Sequence, residues 1–375
     1  MSDTRKTTKP NVPNLRFPGF SGEWELKRID EISPLQRGFD LPSQSLQVGS
    51  VPVVYSNGIM NYHNESKCVA PGIVTGRSGT IGRLTYIESG PYWPHNTSLW
   101  VTDFKGNIPL FVYYLLEHID LSRFSSGSGV PTLNRNDVHA FKTCIPSVEE
   151  QHKIADCLSI IDKRISIQNK VIEDLKKLKT ALEERMLGQC QGKQVRLRDI
   201  LIERVEKSRI NNQYEVLSST VSGIYSQREY FNKEIASADN TGYKAIHRGD
   251  VVLSPQNLWM GNINYNDRFE IGIVSPSYKV FSIDEKFDKG YIAFLLKTRK
   301  ALWAYSLVSE QGASIVRRNL NYESFLEISF VIPSLKEQQA TARRLSAFKQ
   351  KHTMEEAFLR SLLLQKEFML KSLFI

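Results

Sequence analysis

Three glycines stand in Thr75-Gly76-Arg77-Ser78-Gly79-Thr80-Ile81-Gly82, a run that could cradle a phosphate. The spacing is neither the G-x-x-x-x-G-K-[ST] of a phosphate loop nor the G-x-G-x-x-G of a dinucleotide site. Two readings of these residues stay open. One is a tight β-turn between strands. The other is a turn that presents Arg77 and Ser78 to a DNA backbone or base edge. His95 and Asn96 follow Tyr92 and Trp93 in a proline-flanked loop, which suits a binding surface and equally suits a satisfied loop histidine. The seven histidines are otherwise scattered without H-E-x-x-H, and the four cysteines lie far apart without C-x-x-C. No metal site is expected from such spacings, and neither is a disulfide scaffold. A G-x-S-x-G elbow is missing as well. Ser254-Pro255-Gln256-Asn257 lacks the second proline and the aromatic residue of an amino-methyltransferase loop, and no glycine-rich cofactor motif precedes it.

Other loops hold the groups that read nucleic acid. Asn57 and Tyr62 lie in Tyr55-Ser-Asn-Gly and Asn61-Tyr-His-Asn. A Gly/Ser-rich stretch from Ser126 ends in Asn134-Arg135-Asn136. Further on come Gln256, Asn257 and Trp259, then Arg317, Arg318 and Asn319. Arginine binds guanine O6 and N7 as a fork, and Asn or Gln binds adenine N6 and N7. Each stretch taken singly is also an ordinary solvated turn; their concentration in two places strengthens the nucleic-acid reading.

The elements that must position these loops are written twice. Ile145-Pro-Ser-Val-Glu-Glu-Gln151 recurs 187 residues later as Ile332-Pro-Ser-Leu-Lys-Glu-Gln338, with five of seven positions identical. A Leu-Asn pair, Leu133-Asn134 and Leu320-Asn321, stands twelve residues before each isoleucine. The block starts also correspond, Trp24-Glu-Leu-Lys-Arg-Ile29 with Val195-Arg-Leu-Arg-Asp-Ile200. The period is too long for a solenoid, so each copy is a domain. Ser147 with Glu150, and Ser334 with Glu337, spell the S-x-x-E capping box. Each box opens a helix of about 38 residues, ~57 Å at 1.5 Å per residue.

Ile154, Leu158, Ile161, Ile165, Ile172, Leu175 and Leu182 keep a 3–4 spacing, interrupted by Gln168 and Lys179, and Gly188 suits a C′ stop. Leu345, Phe348, Leu359, Leu362 and Met369 repeat the pattern in the second helix, interrupted by His352, Glu355 and Lys366. Helices this long suit an antiparallel coiled coil with each other; folding back on their own domains is the alternative. The domain parts carry short β-type runs, Val51–Tyr55, Gly72–Val74, Gly82–Ile87 and Ser98–Val101. A short helix is expected at Pro109–His118. The second copy repeats this with Gly249–Leu253, Gly272–Val274, Ser277–Phe281 and a helix over Asp288–Leu302. The fold class is therefore mixed α/β (α+β): two tandem domains and two long helices, with a pseudo-twofold internal repeat. The expected division is 1–13 disordered tail, 14–147 first domain, 148–190 central helix, 191–334 second domain and 335–375 C-terminal helix.

The chain has 375 residues, 41% hydrophobic, which excludes global disorder. Its formal charge of +9 permits an anionic partner. Residues 14–147 nevertheless carry 11 basic and 11 acidic side chains, so a nucleic-acid site there must be a local patch. No apolar run approaches ~18 residues, so no membrane span is expected. Met1 to Lys9 lacks the apolar stretch of a secretory signal. Reduced thiols and a cytoplasmic location follow as the expectation.

The chain resembles the specificity subunits of type I restriction–modification systems. The resemblance rests on Leu15-Arg-Phe-Pro-Gly-Phe20 with Glu23-Trp24, on the Gly76-Arg77-x-Gly79-Thr80-x-Gly82 turn, and on the doubled Ile-Pro-Ser-x-x-Glu-Gln junctions, and it spans 14–375. It implies two target recognition domains that each read half of a split, asymmetric site in double-stranded DNA. It implies a non-catalytic subunit without a cofactor of its own. S-adenosylmethionine would sit on two modification (methyltransferase) subunits, and ATP with magnesium on restriction subunits. A coiled-coil scaffold without DNA readout and a self-contained DNA methyltransferase are the competing readings. Half-sites one helical turn apart are ~34–36 Å apart on the duplex, a distance that a ~57 Å helix pair can measure. Inserting about one turn into both helices should lengthen the unspecified spacer of the methylated motif; an unchanged spacer defeats the ruler.

Overall fold

The structure, a computed structural model, describes residues 11–126, 131–231, 239–311 and 317–375. Most of the expected N-terminal tail, residues 1–10, lies outside the described residues, as does part of the Gly/Ser stretch after Ser126. Two compact units form. One takes the described residues up to Asn169 together with Ala357–Ile375; the other is Lys170–Glu356. The 41-residue helix Val148–Gly188 and the 39-residue helix Leu335–Leu373 each contribute to both.

The first unit closes where its ends meet. Strand Glu25–Arg28 pairs antiparallel with Lys142–Ile145. Between them lies a four-stranded antiparallel sheet in the order Leu35–Arg37, Ser98–Val101, Gly72–Gly76, Leu84–Ile87. A second sheet orders Gly58–His63, Val51–Tyr55, Pro91–Pro94 and Cys68–Val69. Helix Pro109–Ile119 starts on proline, which lacks the amide that a first turn cannot use. It buries Phe111, Val112, Leu115 and Leu116 against Ile154, Ala155 and Leu158 of the central helix and Leu373 and Phe374 of the C-terminal one.

The second unit repeats the topology. Lys193–Arg196 pairs with Ser329–Ile332. Its four-stranded sheet runs Leu201–Glu203, Lys279–Ile283, Val251–Leu253, Ile263–Tyr265, the same order by position in the copy. The Leu-Asn pairs now have a physical meaning. Asn134 and Asn321 each cap a short helix, accepting from Asn136 N and Ser324 N at 3.0 and 3.1 Å.

The junctions differ from plain capping boxes. Ser147 Oγ accepts from Glu150 N at 3.5 Å, but the Glu150 carboxylate, which a capping box would turn back to the Ser147 amide, is taken by Arg16 at 2.8 and 2.9 Å. At the second junction the Ser334 hydroxyl donates to Glu337 at 2.6 Å, and the Ser334 amide donates to the same oxygen. The shared glutamines carry the junction. Gln151 Oε1 accepts from Ile108 N at 3.0 Å, and Gln338 Oε1 accepts from Asp288 N at 2.9 Å. Their amide nitrogens donate to Pro146 O and Pro333 O.

Two further expectations are corrected. The helix expected over Asp288–Leu302 is two helices, Lys289–Leu295 and Arg299–Leu307. Thr298 breaks it: its hydroxyl donates to Leu295 O at 2.8 Å and accepts from Ala301 N at 3.2 Å, capping a new start. Gly188 is the last helical residue, and its backbone stays out of the left-handed region.

Along the long helices Ile154, Leu158, Ile161, Leu345 and Leu362 are buried. Leu182 packs on the second core and Met369 on the first. Ile165, Ile172, Leu175, Phe348 and Leu359 are half-buried. In the first unit the two helices run antiparallel, with Lys366 beside Asp162 and Phe358 beneath Arg164. The Lys366 Nζ reaches Asp162 Oδ1 and Glu117 Oε1, both at 2.9 Å, while the Tyr114 hydroxyl donates to Asp162 Oδ2 at 2.8 Å. Burial works against the ammonium, but the hydrogen bonds and charges of Asp162 and Glu117 outweigh it and raise its pKa. The lysine that interrupts the heptad pattern is thus a clasp.

Lys366→Met should cost about 2–4 kcal/mol of stability at pH 7, since two carboxylates lose their cation. A raised lysine stabilises the fold fully below its unfolded value, about 10.4, and the gain fades as pH climbs through the folded value. Urea unfolding should therefore show the wild type losing its advantage over the variant only above about pH 10.4.

Candidate nucleic-acid interface

In each unit one loop leaves the four-stranded sheet between its last two strands. In the first unit it is residues 77–83. Arg77 N and Ser78 N donate to Thr97 O at 2.9 and 3.1 Å, and Leu133 N donates to Arg77 O at 2.8 Å. Ser78 also bridges to Thr132. Three stretches singled out in the sequence, around Arg77, His95 and Asn134, are thereby sewn together. The β-turn reading and the presenting-loop reading are compatible: the backbone makes the turn and the Arg77 guanidinium has no partner among the described residues.

Asn57 is exposed at the turn between Val51–Tyr55 and Gly58–His63, and Tyr62 is 54% exposed on the second of these strands. The His95 ring lies over Tyr55 at 4.2 Å between centroids, its Nδ1 3.0 Å from Thr97 Oγ1. Burial lowers the His95 pKa, against a backbone bond at Leu41 and the Asp40 charge, so the ring is neutral at pH 7. Asn96 is held by Asp40, which also pairs with Arg37.

Trp93 is 5% exposed and packs with Leu41 and Val53. Lys67 lies 4.8 Å from its ring centre, so Trp93 supports the loop from below. Asn134 spends its side-chain oxygen on a helix cap, whereas Arg135 beside it is exposed. Arg83 was hidden in a run read as strand. The strand starts at Leu84, and the Arg83 guanidinium comes within 3.7 Å of where a Gly58 Cβ would stand.

The corresponding loop of the second unit joins Val251–Leu253 to Ile263–Tyr265 and holds a 3-10 turn, Pro255–Met260. Gln256 is exposed and Asn257 half-buried, its side-chain oxygen without a partner among the described residues. Arg318 lies over Trp259, 4.1 Å from the ring centre, joining two segments the sequence keeps 59 residues apart. Arg317 and Asn319 flank it, both exposed. The hairpin Ser309–Gln311/Arg318–Leu320 that carries them corresponds to Ser125–Ser126/Thr132–Leu133 in the first unit. Among the described residues no group of three or more His, Cys, Asp or Glu could hold a metal, and no helix is long and apolar enough to cross a membrane.

Residues 21–177 match the family described as the type I restriction modification DNA specificity domain. The first copy and much of the central helix are thus similar to a type I restriction–modification specificity domain. Its fold is that of the S subunit from M. genitalium, with TM-score 0.65 at 16% identity over 97% of this chain and 99% of that one. A second likeness is to a chain from a study of complex assembly and conformational transition of the type I R-M system. It has TM-score 0.53 at 12% identity over 96% of this chain and 99% of that one. No curated protein matches. The two loops stand at one topological position with unlike side chains, Arg77 and Ser78 in one copy, Gln256, Asn257 and Trp259 in the other.

Arg77→Ala should leave unfolding within about 0.5 kcal/mol of wild type, as an exposed loop change does. It should weaken binding of the assembled complex to its own site about 5- to 100-fold, read by fluorescence anisotropy.

Proposed function

We propose that this subunit reads a split, asymmetric site in double-stranded DNA, one half through each unit, and directs its partners to it. The observation that carries this reading is the pair of equivalent loops with different side chains on a duplicated backbone. Two equal scaffolds with equal loops would read a symmetric site. Here Arg77 offers a guanidinium fork, whose preferred partner is guanine, while Gln256 and Asn257 offer amides, whose preferred partner is adenine. Tyr62, Ser78, His95 and Asn96 in the first unit, and Trp259, Arg317, Arg318 and Asn319 in the second, surround those contacts. Phosphate contacts add affinity but not sequence, so binding falls with salt.

Methylation of adenine belongs in this reading to two modification subunits that carry S-adenosylmethionine. Cleavage belongs to restriction subunits that use ATP and magnesium. The chain itself is the non-catalytic part of a cytoplasmic complex, and the two target recognition domains are its 14–147 and 191–334.

A long-read map of methylated adenines, with the gene intact and deleted, tests this directly. Loss of one split, asymmetric motif on deletion is the expected result. An unchanged map, with the modification subunit co-purifying, favours a scaffold that reads no DNA. Binding of labelled S-adenosylmethionine by the isolated chain favours a self-contained methyltransferase.

A further inference from the structure

The duplicated fold points to a reading element that the sequence of the second unit does not announce. In the first unit the hairpin Val51–Tyr55/Gly58–His63 stands beside the glycine-rich loop. A Cβ on Gly76 would meet Ser56 O at 2.7 Å, so the hairpin turn and the loop touch backbone to backbone. Strand Val51–Tyr55 pairs in parallel with Pro91–Pro94, Val53 opposite Trp93. Asn57 is at the tip of this hairpin.

The second unit builds the same arrangement from unrelated residues. Hairpin Leu217–Thr220/Gly223–Ser226 occupies the equivalent place in the chain. Next to it, Val216 bridges in parallel to Ile273, as Val53 pairs with Trp93. Its tip is Val221-Ser222, the counterpart of Ser56-Asn57. Val221 is 50% exposed, and Ser222 is exposed too.

Buried amides tie this hairpin to the 255–260 loop. Ser219 Oγ donates to Asn262 Oδ1 at 2.7 Å, and Asn262 Nδ2 donates back to Ser219 O at 3.0 Å. Asn264 Nδ2 reaches Ser219 Oγ and Thr220 O, both at 2.7 Å. All three residues are buried. Lys297 adds a clamp: its Nζ donates to Val221 O at 3.1 Å and to Gly261 O at 2.8 Å, one carbonyl from the hairpin tip and one from the loop end. Gly261 has φ +91° and would put a Cβ 2.9 Å from Leu302 Cδ2, so the loop end is seated on the helix behind it. This closed polar network fixes the hairpin relative to the loop.

We infer that the hairpin tip, through the Thr220 and Ser222 hydroxyls, is a second reading element of the second unit, contacting bases or sugar-phosphate beside those met by Gln256 and Asn257. Hydroxyls donate and accept, so they can serve any base edge. Their present bonds are local and exchangeable: Thr220 Oγ1 lies 3.0 Å from Ser222 Oγ and 3.2 Å from Gly223 O. The network of Ser219, Asn262 and Asn264 is a positioning device behind that tip. This inference rests on the DNA-reading function proposed above.

The test uses the full chain with its modification subunits in the native host. The methylated motif is mapped for wild type, for the tip variant Thr220→Ala/Ser222→Ala, and for Asn262→Ala. With the tip variant, base preference should relax at least about fivefold at positions in one half of the motif only, the other half unchanged. Asn262→Ala should relax the same half. Because Asn262 is buried, a general loss of fold would instead lower methylation evenly at an unchanged motif, and the tip variant, being at the surface, keeps the question open to a clean answer. An unchanged motif with the tip variant overturns the inference, as does relaxation of both halves. If wild type shows no motif at all, the DNA-reading function itself has failed, and that result is distinct from the others.

Discussion

Two buried amides hold each domain to its helix. Gln151 and Gln338 are 1% and 2% exposed, one turn into the long helices. Each accepts from the first free amide of the helix that follows the sheet, Ile108 N or Asp288 N, and donates to the proline carbonyl of its own junction. A helix start buried against another element must have its amides satisfied, since an unpaired buried donor costs about 1–3 kcal/mol. One side chain meets that demand in each copy and so fixes where the domain sits on the helix. Everything that a loop could read depends on this seat.

The copies preserve what the backbone needs and vary what a ligand would meet. Closing strands, sheet order, short capped helices and junction glutamines recur in both. The loops at the sheet ends differ in length and chemistry, which costs the fold little because loops lie at the surface. Even the support behind them differs. The first unit presses Gly76 against Ser56 O, backbone to backbone, whereas the second inserts a serine–asparagine network and a lysine clamp. Equivalent positions reached by different contacts point to selection for the position.

Charge is used for the same purpose. The first unit has little net charge to spare, yet Arg77, Arg83 and Arg135 stand around one loop cluster, while Arg16 and Arg37 are spent on internal ion pairs. Lys366 shows the opposite use, a cation turned inward to hold Asp162 and Glu117 from two other helices. Removing such a partner is costly, and the gain is an interlock that a sliding apolar seam would not supply.

The sequence alone determined the duplication, the two long helices, the α/β character of each copy and the loops worth inspecting. Periodicity and repeated capping signals are local or self-similar, so they survive without coordinates. Only tertiary structure decided which of those residues face outward. Trp93 and Asn134 have the right chemistry for recognition, but one is in the core and the other caps a helix. Arg83 and the hairpin tip at Ser222 have it too and gave no signal, because a side chain's direction depends on where a strand begins and on what packs behind it. The partnership of Trp259 with Arg318 was equally hidden. Contacts across 59 residues are made by sheet pairing, and nothing in the spacing of one chain segment records the strand that another will meet.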